Sequence, residues 1–359
     1  MVELAQELVE RIIDECWSLV GSREKSMKYH HFSMVSLDRR KLRSFVKLME
    51  SSPLPLLSFI RNLSLSLVEG TVPEAALLAR IHPCPNLTRI GIFVVGNWRG
   101  PLLVSWLDSN QSLHAHLRAW HDESPTLSCL DLKVYTYTTP TIPLRTITNI
   151  ISCVPGIKSL RMVGFVISAS TDTNPSFTLP RLETLDLHVS KRADLFFSWM
   201  QTLPTLPALK SLKFLTPLIK NVEWAVVVPY FERAGEGLQS LELCEVSPEN
   251  LLKFKKQIWR YTPNLRNIEF SIRDPSKLVK FLMILPASLR WNTIDIEFTA
   301  HGEGILWRNL DTALADPRFL HLTRFTLKLR DFDIPGGKPM ITSETKFRLP
   351  LASARGILD

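Results

Sequence analysis

The chain has 359 residues, of which 45% are hydrophobic and 22% are charged, and its 43 Lys and Arg residues exceed its 35 Asp and Glu residues to give a net charge of +8. This composition is typical of a folded protein and excludes a disordered one. The sequence contains no run of about eighteen apolar residues, so no membrane-spanning helix is expected.

Two further features indicate where the protein works. Six charged residues between positions 3 and 15 leave no apolar core for a signal peptide. The five cysteines are widely spread, and none forms a C-x-x-C pair. Reduced thiols in an intracellular protein fit this pattern, so we expect the protein in the cytoplasm, the nucleus or both.

The first predicted element is an amphipathic helix over residues 3–17. Leu4, Leu8 and Ile12 recur at helical spacing, and Ile13 widens the apolar stripe that they form. Most of the charged residues of this stretch fall on the opposite side. The helix therefore has one apolar face that must be covered, either by the rest of the chain or by a partner.

A strongly basic segment follows at residues 23–47, and a second helix is predicted over residues 40–50. The segment holds eight Lys and Arg residues against two acidic residues, which gives it a charge of +6. A basic patch of this kind can bind nucleic acid or an acidic protein. The simpler interpretation, which we favour, is the solvated face of a short helix.

From residue 60 onward one hydrophobic pattern returns ten times: a hydrophobic residue, two others, a second hydrophobe, one other and a third. The residue before the last hydrophobe is never large and apolar, so each copy alternates as a strand with one buried face does. The spacing between copies runs from 25 to 40 residues. The ten copies begin at Ile60, Leu87, Leu127, Ile157, Leu182, Leu209, Leu238, Leu265, Trp291 and Leu322.

Helices are predicted between these strands, and most following strands are preceded by a proline-containing turn. The predicted helices cover residues 74–82, 102–120, 145–153, 193–202, 222–234, 249–261, 276–284 and 306–315. The pattern stops near residue 330, so residues 331–359 are interpreted as an end cap and a tail.

A repeat of strand and helix with a period in the high twenties resembles the leucine-rich repeat. The resemblance implies an α/β solenoid, with a curved parallel sheet on the inside and helices on the outside. The expected organisation is a helical segment at residues 1–50, about ten repeats at residues 51–330, and a cap and tail at residues 331–359. A solenoid also needs its terminal repeats to be covered.

The solvent-exposed face of the sheet, which is the concave face of the solenoid, is the expected binding surface for a target protein. Equivalent residues of neighbouring parallel strands stack about 4.8 Å apart, so the outward residues form rows. Like charges side by side on a sheet are mildly destabilising. The fold therefore does not need the acidic residues Glu242, Glu269 and Asp295 in neighbouring positions. The alternative is a solvated surface with Lys or Arg reaching across from neighbouring strands. The residues predicted to bind the target are Asp186, Lys213, Glu242, Glu269, Asp295 and Glu297.

The N-terminal stretch resembles an F-box. Glu7 and Leu8 followed by Ile12 and Ile13 resemble the first helix of that family, although Ala5 stands where the family prefers proline. Residues 31–37 resemble its closing segment. The resemblance implies a subunit that bridges a target to a cullin–RING ubiquitin ligase of the SCF type. The residues implied to bind the ligase's adaptor subunit are Leu4, Leu8, Ile12 and Ile13.

Two other interpretations remain open. In one, the N-terminal helix only caps the first repeat, and the protein is a repeat scaffold that binds proteins without binding a ligase. In the other, the basic segment binds nucleic acid, but the outward face of the repeats is not basic, which argues against nucleic acid as a partner.

The sequence offers little for catalysis. It contains no phosphate-binding loop, dinucleotide fingerprint, nucleophile elbow or zinc-protease motif. The best candidate for a metal site is a cluster of histidines and carboxylates. The positive charge of Arg118 would repel a metal ion there, so no metal is expected. That cluster comprises His114, His116, His121, Asp122 and Glu123. We therefore expect a protein that is not an enzyme and that needs no cofactor.

Overall fold

The structure is a computed structural model that covers most of the repeat region. The residues that it describes are 34–37, 43, 45–47, 50, 56–68, 80–96, 98, 100–136, 139–169, 178–189, 191–215, 224–244, 247–249, 251–252, 258–298, 305–329, 338–339 and 346–358.

A twelve-stranded sheet runs through the described residues, in the order β1-β2-β3-β4-β6-β8-β9-β10-β11-β12-β13-β14. Its pairs are parallel from β1 to β13, and β14 is antiparallel to β13. The small strands β5 and β7 form a separate parallel pair. The strands are β1 Met34–Leu37, β2 Asn62–Val68, β3 Arg89–Gly96, β4 Cys129–Thr136, β5 Thr141–Pro143, β6 Ser159–Val163, β7 Val166–Ser168, β8 Thr184–His188, β9 Ser211–Leu215, β10 Ser240–Cys244, β11 Asn267–Ile272, β12 Thr293–Phe298, β13 Arg324–Leu329 and β14 Lys338–Pro339.

The prediction of ten parallel strands at the repeated pattern is confirmed. Each pattern places its second and third hydrophobes in one strand, and equivalent positions pair in register. Leu241 of β10 lies opposite Ile268 of β11, which lies opposite Ile294 of β12. All three are buried, whereas the polar residues between the hydrophobes are mostly part-exposed. The alternation written in the sequence therefore fixes which face of the sheet is buried.

Helices lie between many of the strands and share one hydrophobic core with the buried face of the sheet. Their bounds are α1 Gly100–Ser109, α2 Gln111–Glu123, α3 Leu144–Ser152, α4 Ala193–Thr202, α5 Trp224–Ala234, α6 Leu278–Ile284, α7 Trp307–Leu314 and α8 Pro350–Ala354. Short 3-10 turns occur at Leu56–Phe59, Gly235–Gly237, Trp259–Tyr261, Pro275–Lys277 and Pro317–Phe319.

The helix predicted over residues 102–120 is two helices. Asn110 separates them, because its side-chain oxygen accepts a hydrogen bond of 2.9 Å from the Leu113 backbone N–H and caps α2. Of the helix predicted over 249–261, residues 253–257 lie outside the described residues and Trp259–Tyr261 form a 3-10 turn; much of the helix predicted over 74–82 also lies outside the described residues.

The C-terminal segment closes the last repeat. The two carboxylate oxygens of Asp311 accept hydrogen bonds from the backbone N–H groups of Leu351 at 3.1 Å and Ala352 at 3.0 Å. The Phe325 backbone N–H of β13 donates to the Ile357 carbonyl at 2.6 Å. A buried carboxylate that satisfies the first turn of α8 holds this segment over the end of the core.

Candidate interaction surface

The predicted target-binding residues lie in one row on the part-exposed face of the sheet. Asp186 of β8 pairs in register with Lys213 of β9, which pairs with Glu242 of β10. Glu242 pairs with Glu269 of β11, and Glu269 pairs with Asp295 of β12. We call these five residues the central row. Glu297 lies two residues beyond Asp295 on the same face.

Cationic side chains neutralise part of the central row. Arg161 Nε lies 2.8 Å from Asp186 Oδ2, and Arg324 Nη2 lies 2.9 Å from Asp295 Oδ2. Lys213 forms an ion pair with Glu242. These ion pairs agree in part with the interpretation of a solvated surface, because basic residues reach across from neighbouring strands.

Glu269 differs from its neighbours in the central row. Among the residues that the structure describes, it forms no ion pair, although it stands between Glu242 and Asp295. Burial, followed by the repulsion of Glu242, raises the pKa of Glu269 to about 7; Asp295 adds to this shift, whereas Lys213 and, more weakly, Lys328 oppose it. The Glu269 carboxyl therefore titrates near neutral pH, where an ordinary Glu is fully ionised.

Burial also raises the pKa of Asp186, to about 6, although Arg161 opposes the shift. His188 Nε2 lies 3.2 Å from Asp186 Oδ1. At the other end of this group, the Cys244 thiol lies 3.7 Å from His188 Nε2 and donates a 3.5 Å hydrogen bond to Glu242 Oε1. Burial raises the pKa of Cys244 to about 12, so the thiol stays protonated and is a poor nucleophile.

A second set of residues, absent from the predicted site, lies beside the central row: His188, Cys244 and Ser271. Each lies two residues beyond a central-row position, so the period-2 rule that identified the row could have identified them as well. Ser271 pairs in register with Glu297 and is only 3% exposed. Its Oγ and the Oδ1 atom of Asp295 are buried without a hydrogen-bond partner among the described residues.

The same face has a different character over β3 and β4. Lys133 Nζ lies 3.1 Å from Asp131 Oδ2 and 4.8 Å from the centre of the Phe93 ring. The slot equivalent to the central row on β3 is Gly91, where an added Cβ would lie 2.9 Å from that ring. The ring of Phe93 therefore covers the position at which β10, β11 and β12 present a carboxylate.

The predicted adaptor-binding residues Leu4, Leu8, Ile12 and Ile13 lie outside the described residues, as does most of the basic segment at residues 23–47. Of that segment, residues 34–37 form β1, which pairs with β2 in register from Met34 to Leu37. This pairing attaches residues 34–37 directly to the first repeat.

The histidines considered as metal ligands belong to α2 and its end. His116 Nδ1 lies 2.5 Å from the Ser112 carbonyl of its own helix, and the His121 ring lies against Gly156. Within the part of the chain that the structure describes, no three His, Cys, Asp or Glu side chains are grouped to hold a metal ion. In the same residues, no helix has both the length and the apolar character to cross a bilayer.

Neither a protein-family model nor a curated protein matches the sequence. The structure defines a mixed α/β protein with a large parallel sheet whose strands follow one another along the chain. A function must therefore be argued from the chain's own residues.

Proposed function

We propose that this protein is a non-catalytic, substrate-recruiting subunit of an SCF-type cullin–RING ubiquitin ligase, in which leucine-rich repeats bind the target protein. The proposal has two parts. The sheet and its helices form the target-binding unit, and the N-terminal segment binds the ligase adaptor.

A leucine-rich-repeat solenoid accounts for the way the strands are arranged. Each strand of the ten-fold pattern pairs with the strand of the next pattern, with equivalent residues side by side. Units that contact only their neighbours in sequence are the property that distinguishes repeat proteins from other α/β folds. A curved sheet with helices on its outer side is the geometry that we assign to this arrangement.

The single observation that supports target binding is the central row. An in-register row of ionisable side chains on one face of a sheet gives a partner a regular set of contacts. Asp186, Lys213, Glu242, Glu269, Asp295 and Glu297 are the residues that we assign to the target, which we expect to present a basic segment. Such complementary charge gives specificity and speeds association.

The F-box resemblance supports the second part. The resemblance lies in about residues 3–40, and its closing segment at residues 31–37 overlaps β1, which pairs with β2 of the first repeat. An F-box at this place would hold the adaptor beside the repeats and so present a bound target to the ligase.

The alternative is a repeat scaffold whose N-terminal segment is only a cap, and one observation favours it. Val46 belongs to the same hydrophobic core as the first repeats and is buried, and β1 covers the edge of β2. A segment that covers an open end of the core has a structural role whether or not it binds an adaptor.

Purification of the tagged protein from cells, with mass spectrometry for the adaptor subunit, separates these proposals. We expect the adaptor with the wild type and its loss in the double variant Leu8→Asp with Ile12→Asp, because two buried charges would abolish an apolar contact. The thermal unfolding of the repeats should remain unchanged. A wild-type protein that never captures the adaptor, or a double variant in which the first repeats unfold, would favour the cap.

A further inference from the structure

Glu269 lies among side chains that carry hydrogen-bond acceptors, and Lys328 lies beside Glu297 at the edge of this group. Glu269 pairs in register with Asp295, and Ser271 on the same strand pairs with Glu297. Residues two apart on a strand face the same side, so these four side chains belong to one patch. We call Glu269, Ser271, Asp295 and Glu297 the acceptor patch.

Two atoms of the acceptor patch are buried and receive no hydrogen bond from any residue that the structure describes. They are Ser271 Oγ, whose residue is 3% exposed, and Oδ1 of Asp295, whose other oxygen is bound by Arg324. A buried oxygen without a partner costs roughly 1–3 kcal/mol, so native proteins seldom leave one unsatisfied. The missing donors are consistent with a ligand that supplies them.

The chemistry of these atoms selects the kind of ligand. The described residues contain no group of His, Cys, Asp and Glu that could hold a metal ion, so we consider organic cations. A guanidinium group carries five N–H donors in one plane, and it can serve two carboxylates and a hydroxyl together. An ammonium group has three donors around one point and matches such a spread of acceptors less well.

We propose that the acceptor patch binds an arginine side chain of the target protein, with the guanidinium between Glu269 and Asp295 and one N–H directed at Ser271. This inference rests on the proposed function, since it assigns the target's chemistry at the same face of the sheet. The guanidinium would supply Glu269 with the cationic partner that Lys213 and Arg324 give to its neighbours.

The test uses three fluorescently labelled nine-residue peptides: nona-arginine, nona-lysine and nona-citrulline. Citrulline has nearly the shape of arginine without its charge. Their affinities for the full-length protein are measured by fluorescence anisotropy at physiological ionic strength, where distant charges are screened. We expect the arginine peptide to bind at least about tenfold more tightly than either of the others, because guanidinium–carboxylate bonds are both charged and directional.

Three variants locate the contact. Glu269→Gln should weaken the arginine peptide about tenfold, and Ser271→Ala should weaken it a few-fold. Glu183→Gln is the matched control, since Glu183 is an exposed carboxylate that pairs with Lys210 outside the patch. We expect no change in that variant. Thermal unfolding of each variant checks that it is folded.

Equal binding of the arginine and lysine peptides would overturn the proposal, and so would equal losses in Glu269→Gln and Glu183→Gln. The failure of the proposed function would look different. A protein that never captures the ligase adaptor would refute the ligase assignment and would leave the peptide affinities as they are. A protein that captures targets but does not distinguish the peptides would refute the arginine site alone.

Discussion

The part-exposed face of the sheet has two unlike regions built on the same strand register. Over β3 and β4, the ring of Phe93 covers the slot at Gly91, and Lys133 neutralises Asp131. Over β10 to β12, the equivalent slots hold Glu242, Glu269 and Asp295 side by side. The two regions have the same backbone arrangement but different surface chemistry, since the second holds a carboxylate, Glu269, that forms no ion pair with any described residue.

The contrast between the two regions indicates that folding does not require the acidic residues. The buried hydrophobes are alike in both regions, so both can fold with the same core. Neighbouring like charges weaken a sheet, and Phe93 with Gly91 is one way in which the chain avoids them. Residues that lower stability without a structural role are typical of functional surfaces.

The largest expected effect tests whether the cores of the two regions are equivalent. Leu130 of β4 and Leu241 of β10 are both fully buried. Leu130→Ala and Leu241→Ala should each lower the free energy of unfolding by about 2–5 kcal/mol, as cavities in a packed core do. Denaturant titration measures both. A cost below about 1 kcal/mol for one of them would show that its region is not packed as described.

An intermediate effect is expected at Glu269, with a defined pH dependence. Its pKa is raised to about 7 in the folded protein from 4.5, so between these pH values the folded state binds more protons than the unfolded state. Stability therefore falls as pH rises through this window. Glu269→Gln should be more stable than the wild type by about 1 kcal/mol at pH 8, since solvent screens a part-exposed group.

The comparison at acid pH is the control for this prediction. Near pH 4 the Glu269 carboxyl is protonated in the folded wild type, so the stabilities of wild type and Glu269→Gln should converge there. Thermal unfolding of both proteins from pH 4 to pH 8 measures the difference. A constant difference across this range would contradict the assignment of the repulsion to Glu269.

The smallest effect is expected in the region over β3 and β4. Tyr135 is 55% exposed and stands beside Val95, which is 39% exposed. Tyr135→Ala should change the free energy of unfolding by no more than about 0.5 kcal/mol, because its side chain is largely in water. It should also leave the captured partners unchanged. Loss of partners in this variant would move the binding surface to the first strands.

Much of the fold could be predicted because hydrophobic patterns within short stretches of the sequence determine it. The alternation of hydrophobic and polar residues gave the positions of the ten strands, and equal spacing within each copy gave the register that aligns Glu242 with Glu269. The strands β5 and β7 were not predicted, because three residues carry too little periodicity. The split between α1 and α2 depends on a cap at Asn110, which competes with a continuous apolar stripe.

The site could be predicted only in part. The rows follow from the pleat of a strand, but the partner of each carboxylate depends on how far a Lys or Arg side chain reaches across strands. Lys213 forms an ion pair with Glu242, and Arg324 forms one with Asp295. Glu269 lies between these two pairs. The burial of Ser271 depends on packing from outside its own strand, which the alternating pattern does not record.

Charge reversal in the acidic region tests directly whether the central row binds the target protein. The measurement is quantitative mass spectrometry of the proteins captured by the wild type, by Glu242→Lys with Glu269→Lys, and by a control with two exposed acidic residues reversed, Glu183→Lys with Glu249→Lys. We predict that the central-row variant loses partners that the wild type and the control retain, that these partners elute at raised salt, and that thermal unfolding shows both variants to be folded. An unchanged partner list in the central-row variant, or the same losses in the control, would show that the central row does not bind the target.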